Sequence, residues 1–373
     1  MQRNVFTLSL AGCALLVLGL PAGDNRLPIL LFLGILLGAT LFLTSFGFAS
    51  AYRNMLTGRD FNSVRAQVLL LAVSTLMFSP VLSAGQFFGQ PVTGASAPVA
   101  LQVAAGALLF GIGMQLAGGC ASGTLYATGS GSLRMLCTLA FFCAGSFMAS
   151  LHFDWWQGLP SWGEIVLAEK LGWPAAVVLQ LAVLGLLWKI LGRQQARIEK
   201  TAFSTHPLQN RILLHGACVL AALSFFVLIT AGHPWSITWG FTLWAAKMAM
   251  HLGWDPQNSN FWNADFQREA LSGNPLNDVT SVMDIGLLAG ALAASSLVGE
   301  FRPRWPARWA ELAAAILGGI AMGYGARIGF GCNIGAFYSG VASTSLHGWL
   351  WIAAALPGCW IGVRLRPLFG IKI

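Results

Sequence analysis

Cys120 lies in the stretch GGCASGTLY and Cys332 in FGCNIGAFY, 212 positions further along a chain of 373 residues. Each cysteine is set among glycines and other small residues, and each is followed six positions later by a tyrosine. A thiol is soft, polarisable and a weak S–H donor. A hydroxyl would serve a hard anion as well or better, whereas a thiol suits a ligand whose reactive atom is itself sulfur or selenium. The competing reading is that both cysteines merely fill tight helix contacts where Ser or Ala would do, and their recurrence weighs against it. Metal binding is disfavoured, because no CxxC pair and no His or Asp at ligand spacing accompanies either cysteine. His347 follows Cys332, but the corresponding region near Arg134 has no histidine. Neither a metal nor a cofactor is expected, and thiol–disulfide exchange is a further, less favoured use. The other five of the seven cysteines (Cys13, Cys137, Cys143, Cys218 and Cys359) lie in apolar segments and read as small hydrophobes.

The recurrence extends beyond the cysteines. Aligned on them, GIGMQLAGGCASGTLY and GYGARIGFGCNIGAFY agree at 6 of 16 positions: Gly111/Gly323, Gly113/Gly325, Gly119/Gly331, Cys120/Cys332, Gly123/Gly335 and Tyr126/Tyr338. Internal duplication of this kind is common in transporters, with the site between the repeats.

The elements that position these residues belong to a membrane. Hydrophobic residues make up 56% of the chain and charged ones only 9%, against about 25% charged in a soluble domain. Apolar segments fall at 5–21, 27–48, 64–84, 98–118, 132–151, 174–192, 212–230, 236–253, 281–299, 309–330 and 346–364. They are continuous runs, which excludes a β-barrel and predicts an all-α polytopic transmembrane protein. Residues 1–22 share features with a signal peptide but read better as a retained first helix. The predicted organisation is a first half over 1–192, a cytoplasmic connecting loop over 193–211 and a second half over 212–373.

The net charge of +8 is a topology signal, since the basic residues are scattered among loops; this gives nucleic-acid binding no support. With Arg53, Arg59, Arg65 and 193–211 placed in the cytoplasm, the acidic loop 152–173 falls outside. Loop 255–280 is acidic and loop 300–308 basic, and simple counting puts these two on the wrong sides. A re-entrant or broken 236–253 removes the conflict and makes the two halves an inverted, pseudo-symmetric pair. Glycines at such density let backbones approach closely and permit a helix to break. Half-helices broken at membrane depth aim N–H groups at whatever lies between them. Gly119, Gly123, Gly331 and Gly335 would shape such a site around Cys120 and Cys332. Asn333 is the polar neighbour of one cysteine, and Ser122 stands in its place at the other.

Other polar residues at membrane depth are candidates for the pathway. Lys247 sits mid-segment, drawing anions or pairing, for example with Asp284. Arg327 precedes Cys332 by five residues, where the first repeat has Gln115. Tyr126 and Tyr338 would either bond substrate oxygens or cap the short helix after each cysteine.

At LAGGCASGTLY and GARIGFGCNIGAFYSG…SLHGW the chain resembles the YeeE/YedE family of sulfur transporters. The segment SFGFASAYRNM at 45–55 is similar to the family's Phe-Cys-x-Thr-x-x-Phe-Arg-Asp-Met. The resemblance implies uptake of thiosulfate across the bacterial inner membrane by an hourglass of two inverted halves. The substrate would pass between neutral thiols by S–H···S hydrogen bonds, without covalent attachment. Cys120 and Cys332 match two of the family's three relay cysteines; the third falls on Gly47. That departure leaves a sulfide, persulfide or selenium anion as a related substrate, and a membrane-embedded sulfur-transfer enzyme as the rival function. The expected surroundings are membrane lipid and, by resemblance, a small cytoplasmic sulfur-carrier protein similar to TusA. No G-x-x-x-x-G-K-[ST] phosphate loop is present, so any driving force comes from gradients or from consumption of substrate.

Overall fold

Lipid offers a peptide group no hydrogen-bond partner, so an apolar run must close its backbone bonds within itself. The computed structural model describes residues 1–21, 23–201, 207–305 and 308–372. Its first part holds α1 (Arg3–Gly19), α2 (Arg26–Thr44), α3 (Phe48–Leu56), α4 (Asn62–Ala84), α5 (Leu101–Ala117), α6 (Ala121–Gly129) and α7 (Leu133–Leu151). Two short helices, α8 (Phe153–Gln157) and α9 (Leu167–Leu171), lead into α10 (Trp173–Thr201). Then come α11 (Pro207–Ala231), α12 (Thr238–His251), α13 (Asn260–Asn263), α14 (Asp265–Ser272), α15 (Val279–Val298) and α16 (Trp309–Ile328). A π-helical turn over Asn333–Tyr338 precedes α17 (Ser339–Ala342) and α18 (Leu346–Leu365). Among the described residues, strands are confined to two pairs, β1 (Gln86–Phe87) with β2 (Gln90–Pro91) and β3 (Pro98–Ala100) with β4 (Ser161–Glu164).

Among the described residues, nine helical segments are long and apolar enough to cross a membrane, which makes this an all-α, multi-pass membrane protein. Two of the expected apolar segments fall short of a span. Segment 5–21 becomes the 17-residue α1. Segment 236–253 becomes the 14-residue α12, about 21 Å long at 1.5 Å per residue. The basic stretch 193–211 is less of a loop than expected: α10 carries helix to Thr201 and α11 begins at Pro207, while 202–206 lie outside the described residues. Arg65 stacks on Trp188 of α10 at 4.3 Å, and the Phe61 N–H donates to Gln195 at 2.8 Å, which ties this helix to the 53–65 loop.

The charged loops segregate by face. Loops 255–280 and 300–308 lie at opposite ends of α15. On one face, Arg304 bridges to Ser132, Arg308 donates to the Gly370 carbonyl at 2.6 Å, and Arg366 lies within charge range of Arg53 and Arg134. On the other, Asn260 donates to Asp154 at 2.8 Å and Trp262 to the Ser150 hydroxyl at 2.8 Å, joining loop 255–280 to loop 152–173.

Packing is reciprocal. Helix α5 lies against α16 and α18, α16 against α5 and α7, α2 against α15, and α4 against α11. The two parts of the chain are therefore interleaved rather than docked as separate bodies. Helices in lipid gain little from apolar burial against each other and associate through close backbone contact. At the α5–α16 crossing, a Cβ on Gly325 would sit 2.5 Å from the Gly106 carbonyl oxygen and 2.7 Å from the Phe110 nitrogen. Four long helical runs are interrupted: between α2 and α3 at 45–47, between α5 and α6 at 118–120, between α11 and α12 at 232–237, and after α16 at 329–332.

Candidate functional site

The break after α5 is made by Gly118, whose φ of +88° ends the helix. Arg134 and Arg366 hold the carbonyls this leaves free, donating to Leu116 at 2.9 Å and to Gln115 at 2.6 Å. Cys120 then caps α6: its sulfur accepts from the Gly123 N–H at 3.4 Å and touches the Ser122 hydroxyl at 3.3 Å. Gly119 packs over the same first turn, with Gly123 and Thr124 backbone atoms 3.4 Å from where its Cβ would be.

The break after α16 is more contorted. Phe330 takes a left-handed φ of +57° and Gly331 a φ of +143°. A Cβ on Gly331 would come within 2.7 Å of the Ala336 nitrogen, so only glycine fits there. Cys332 caps the π-helical turn that follows, its sulfur accepting from the Ile334 N–H at 3.4 Å. Single π-helical turns concentrate at functional sites.

Both cysteines are enclosed, Cys120 with 1% of its surface exposed and Cys332 with none. They lie within charge range of one another. Tyr52 of α3 bridges the two breaks: it is within charge range of Cys120 and of Cys359 on α18, and its hydroxyl faces the Asn333 side chain. That approach falls short of a hydrogen bond, because the Tyr52 hydroxyl and both polar atoms of Asn333 are buried without a partner among the described residues. Gln115 adds a fourth orphan. Its Nε2 donates to the Ala49 carbonyl at 2.9 Å and its side chain lies against Cys359, while its Oε1 has no partner. Buried polar atoms are nearly always paired. Unpaired atoms converging from α3, α5 and the Cys332 break, beside two thiols, can take a ligand with oxygens at one end and a soft atom at the other.

The remaining candidates fall in different places. Gly47 caps the start of α3, its Cβ position 3.4 Å from the Tyr126 hydroxyl and 2.9 Å from the Ser50 hydroxyl. Tyr126 thus stands near the centre. The Tyr338 hydroxyl instead bonds Ser74 of α4 at 2.7 Å, an anchor rather than a cap. Lys247 does not pair with Asp284: its ammonium donates to the Leu271 and Gly273 carbonyls at 2.6 Å each, at the end of α14. Gly335 faces Ser236, whose hydroxyl lies 3.7 Å from its Cβ position. Ser236, His233, Asp278 and Thr280 line a pocket of about 470 Å³ together with Arg327, whose guanidinium stacks over Phe153 at 5.5 Å and Phe261 at 5.2 Å.

Sequence reasoning missed Tyr52, which stacks edge-on with Phe48 in a short amphipathic helix; Cys359, read as a small hydrophobe, is buried in the core beside it. The signal for Tyr52 was its place beside Arg53 in the segment whose family counterpart carries a cysteine. Gln115 was noted only as the counterpart of Arg327.

The comparisons with known proteins fit this architecture. The Sulphur transport family matches residues 43–361, a span that includes both cysteine breaks. The thiosulfate transporter TsuA of Spirochaeta thermophila is 27% identical over 355 residues, covering 88% of this chain and 96% of that protein. The thiosulfate transporter TsuA of Escherichia coli K12 is 24% identical over 346 residues, covering 90% of this chain and 94% of its own length. A probable transporter of E. coli K12, YedE, is 33% identical, but over 159 residues that make up 42% of this chain and 39% of the relative. The match to each YedE protein thus spans well under half of that relative's length. With the family pattern running through nearly all of its membrane helices, this chain belongs to the Sulphur transport family.

Proposed function

We propose that the protein imports thiosulfate across the bacterial inner membrane through a central pathway lined by Cys332 and Cys120. One observation carries the reading: two enclosed thiols lie within charge range of each other, with the unpaired Asn333 and Tyr52 side chains beside them. The thiols donate S–H to the terminal sulfur, and the Asn333 amide and Tyr52 hydroxyl receive the sulfonate oxygens. The glycines at 119, 123, 331 and 335 keep the backbone close around the ion. The halves 1–192 and 212–373 are inverted copies meeting at this point.

Excess Lys and Arg stay cytoplasmic, so the face carrying Arg53, Arg134 and Arg366 is inside and the Arg327 pocket opens outward. Thiosulfate arrives at that pocket, passes Cys332 and then Cys120, and leaves among the three arginines, where a small sulfur-carrier protein would collect its sulfur. The relatives named as thiosulfate transporters support the choice of substrate.

Uptake of radiolabelled thiosulfate into cells lacking other importers tests this, with wild type compared with Cys120→Ala and Cys332→Ala. Wild-type uptake that both substitutions abolish or cut sharply is expected. Uptake unchanged in both would end the reading, as would a persulfide trapped on Cys120, which marks a sulfur-transfer enzyme instead.

A further inference from the structure

Asp284 is the sixth residue of α15, and none of its surface is exposed. Both carboxyl oxygens lack any hydrogen-bond partner among the described residues. The group is pressed against α12, where a Cβ on Gly240 would lie 2.8 Å from its Oδ2, so the neighbouring helix has kept a space for it. Its titratable and charged surroundings are few among the described residues. Asp278 lies on the same element, Cys143 comes from α7, and Cys332 comes from the break after α16. Lys247 of α12 is occupied by carbonyls elsewhere, and α2 brings only Arg26, paired with Asp24 at 2.9 Å. Helix α6 has no charged residue, and Arg3 of α1 is exposed.

A lone carboxyl at membrane depth, without donor or counter-ion, is costly to maintain and has no packing role that Asn or Leu could not fill. Its position supplies a role. Val279 and Thr280, one turn earlier on α15, line the Arg327 pocket, and Asp284 itself is within charge range of Cys332. It thus stands between the outer pocket and the first thiol. Resting on the thiosulfate reading above, we propose that Asp284 is a proton-binding site that couples inward movement of the dianion to co-import of protons. One proton passes from water in the Arg327 pocket to a carboxyl oxygen of Asp284, and it is later returned to water on the Arg53 side. No other bond forms or breaks.

The electrical need is plain. Against an inside-negative potential of 100 mV, each negative charge carried inward opposes a concentration ratio of roughly fiftyfold. A dianion faces that factor twice over, and a passing dianion would be repelled by an ionised Asp284 beside Cys332. A proton on Asp284 removes the repulsion and offsets part of the electrical load.

The test uses the full chain in proteoliposomes that hold a pH-sensitive dye, with the membrane potential clamped near zero and labelled thiosulfate added outside. Wild type is expected to acidify the lumen in proportion to the thiosulfate that enters, without sodium. Asp284→Asn is expected to lower the protons moved per thiosulfate by about tenfold, the loss of a single coupling interaction. Thiosulfate movement in wild type without acidification, an unchanged proton ratio in Asp284→Asn, or a requirement for sodium overturns proton coupling and leaves thiosulfate transport standing. No thiosulfate movement in wild type overturns both. Should Asp284→Asn carry no thiosulfate, wild-type rates at pH 6 and pH 8 decide. Thiosulfate remains a dianion across that range, so a severalfold faster rate at pH 6 supports the proposal and a flat profile overturns it.

Discussion

The Cys120 and Cys332 breaks share a sequence pattern but differ in how they are built. At Cys120 the chain leaves α5 through an ordinary glycine terminator, two arginines hold the freed carbonyls, and a regular α-helix follows. Ser122 satisfies the sulfur's neighbourhood. At Cys332 a phenylalanine is held in the left-handed region, a π-helical turn follows, and the adjacent Asn333 is left unpaired at both polar atoms. Strain and unpaired polar atoms persist only where the surroundings enforce them, and they gather at sites that bind or switch. On the proposed thiosulfate reading, this difference assigns an asymmetric division of labour: Cys332 to the break that grips, Cys120 to the break that releases.

Substitutions can break or sharpen that contrast. Cys332→Ala is expected to reduce thiosulfate uptake the most, by roughly thirtyfold or more, because it removes a soft donor where no other group can substitute. Cys120→Ala should cost about tenfold, as Ser122 still offers a donor there. Equal losses would erase the distinction. Gly331→Ala should cut uptake and also lower folding stability by about 2 kcal/mol, since its Cβ meets backbone in a conformation that L-residues avoid. At the Cys120 break, Gly123→Ala places a Cβ 3.5 Å from the Cys120 sulfur, an ordinary contact, and should shift thermal stability by about 0.5 kcal/mol or less. Asn333→Ala should raise the half-saturating thiosulfate concentration about fivefold, the net worth of one ordinary hydrogen bond. Smallest of all, Tyr338→Phe should leave uptake within about twofold and cost about 1 kcal/mol of stability from the lost Ser74 bond.

The continuous apolar runs made the helices and the cysteine repeat legible, because both depend on local sequence. The conflict of loop charges pointed to a re-entrant or broken 236–253, but not to the helix ends at Ile237 and Leu252 that limit α12 to 14 residues. Lys247 read as a mid-membrane charge because the carbonyls that bind it belong to α14, more than twenty residues away. Asp284 was visible only as a prospective partner for that lysine. Its isolation depends on a glycine of another helix. Tyr52 reaches the centre by a fold in which α3, α5 and the Cys332 break converge, and such convergence has no local signature.

The crossing of α5 over α16, Gly106 against Gly325, joins two rods backbone to backbone along the core of the molecule. Rods in such contact cannot slide or tilt past each other without first drawing apart. If the proposed pathway runs beside them, its frame is stiff, and gating falls to the thin septum of side chains within it. Flux should then follow the tempo of rotamer hops and local turn adjustments rather than the slow rocking of a bundle.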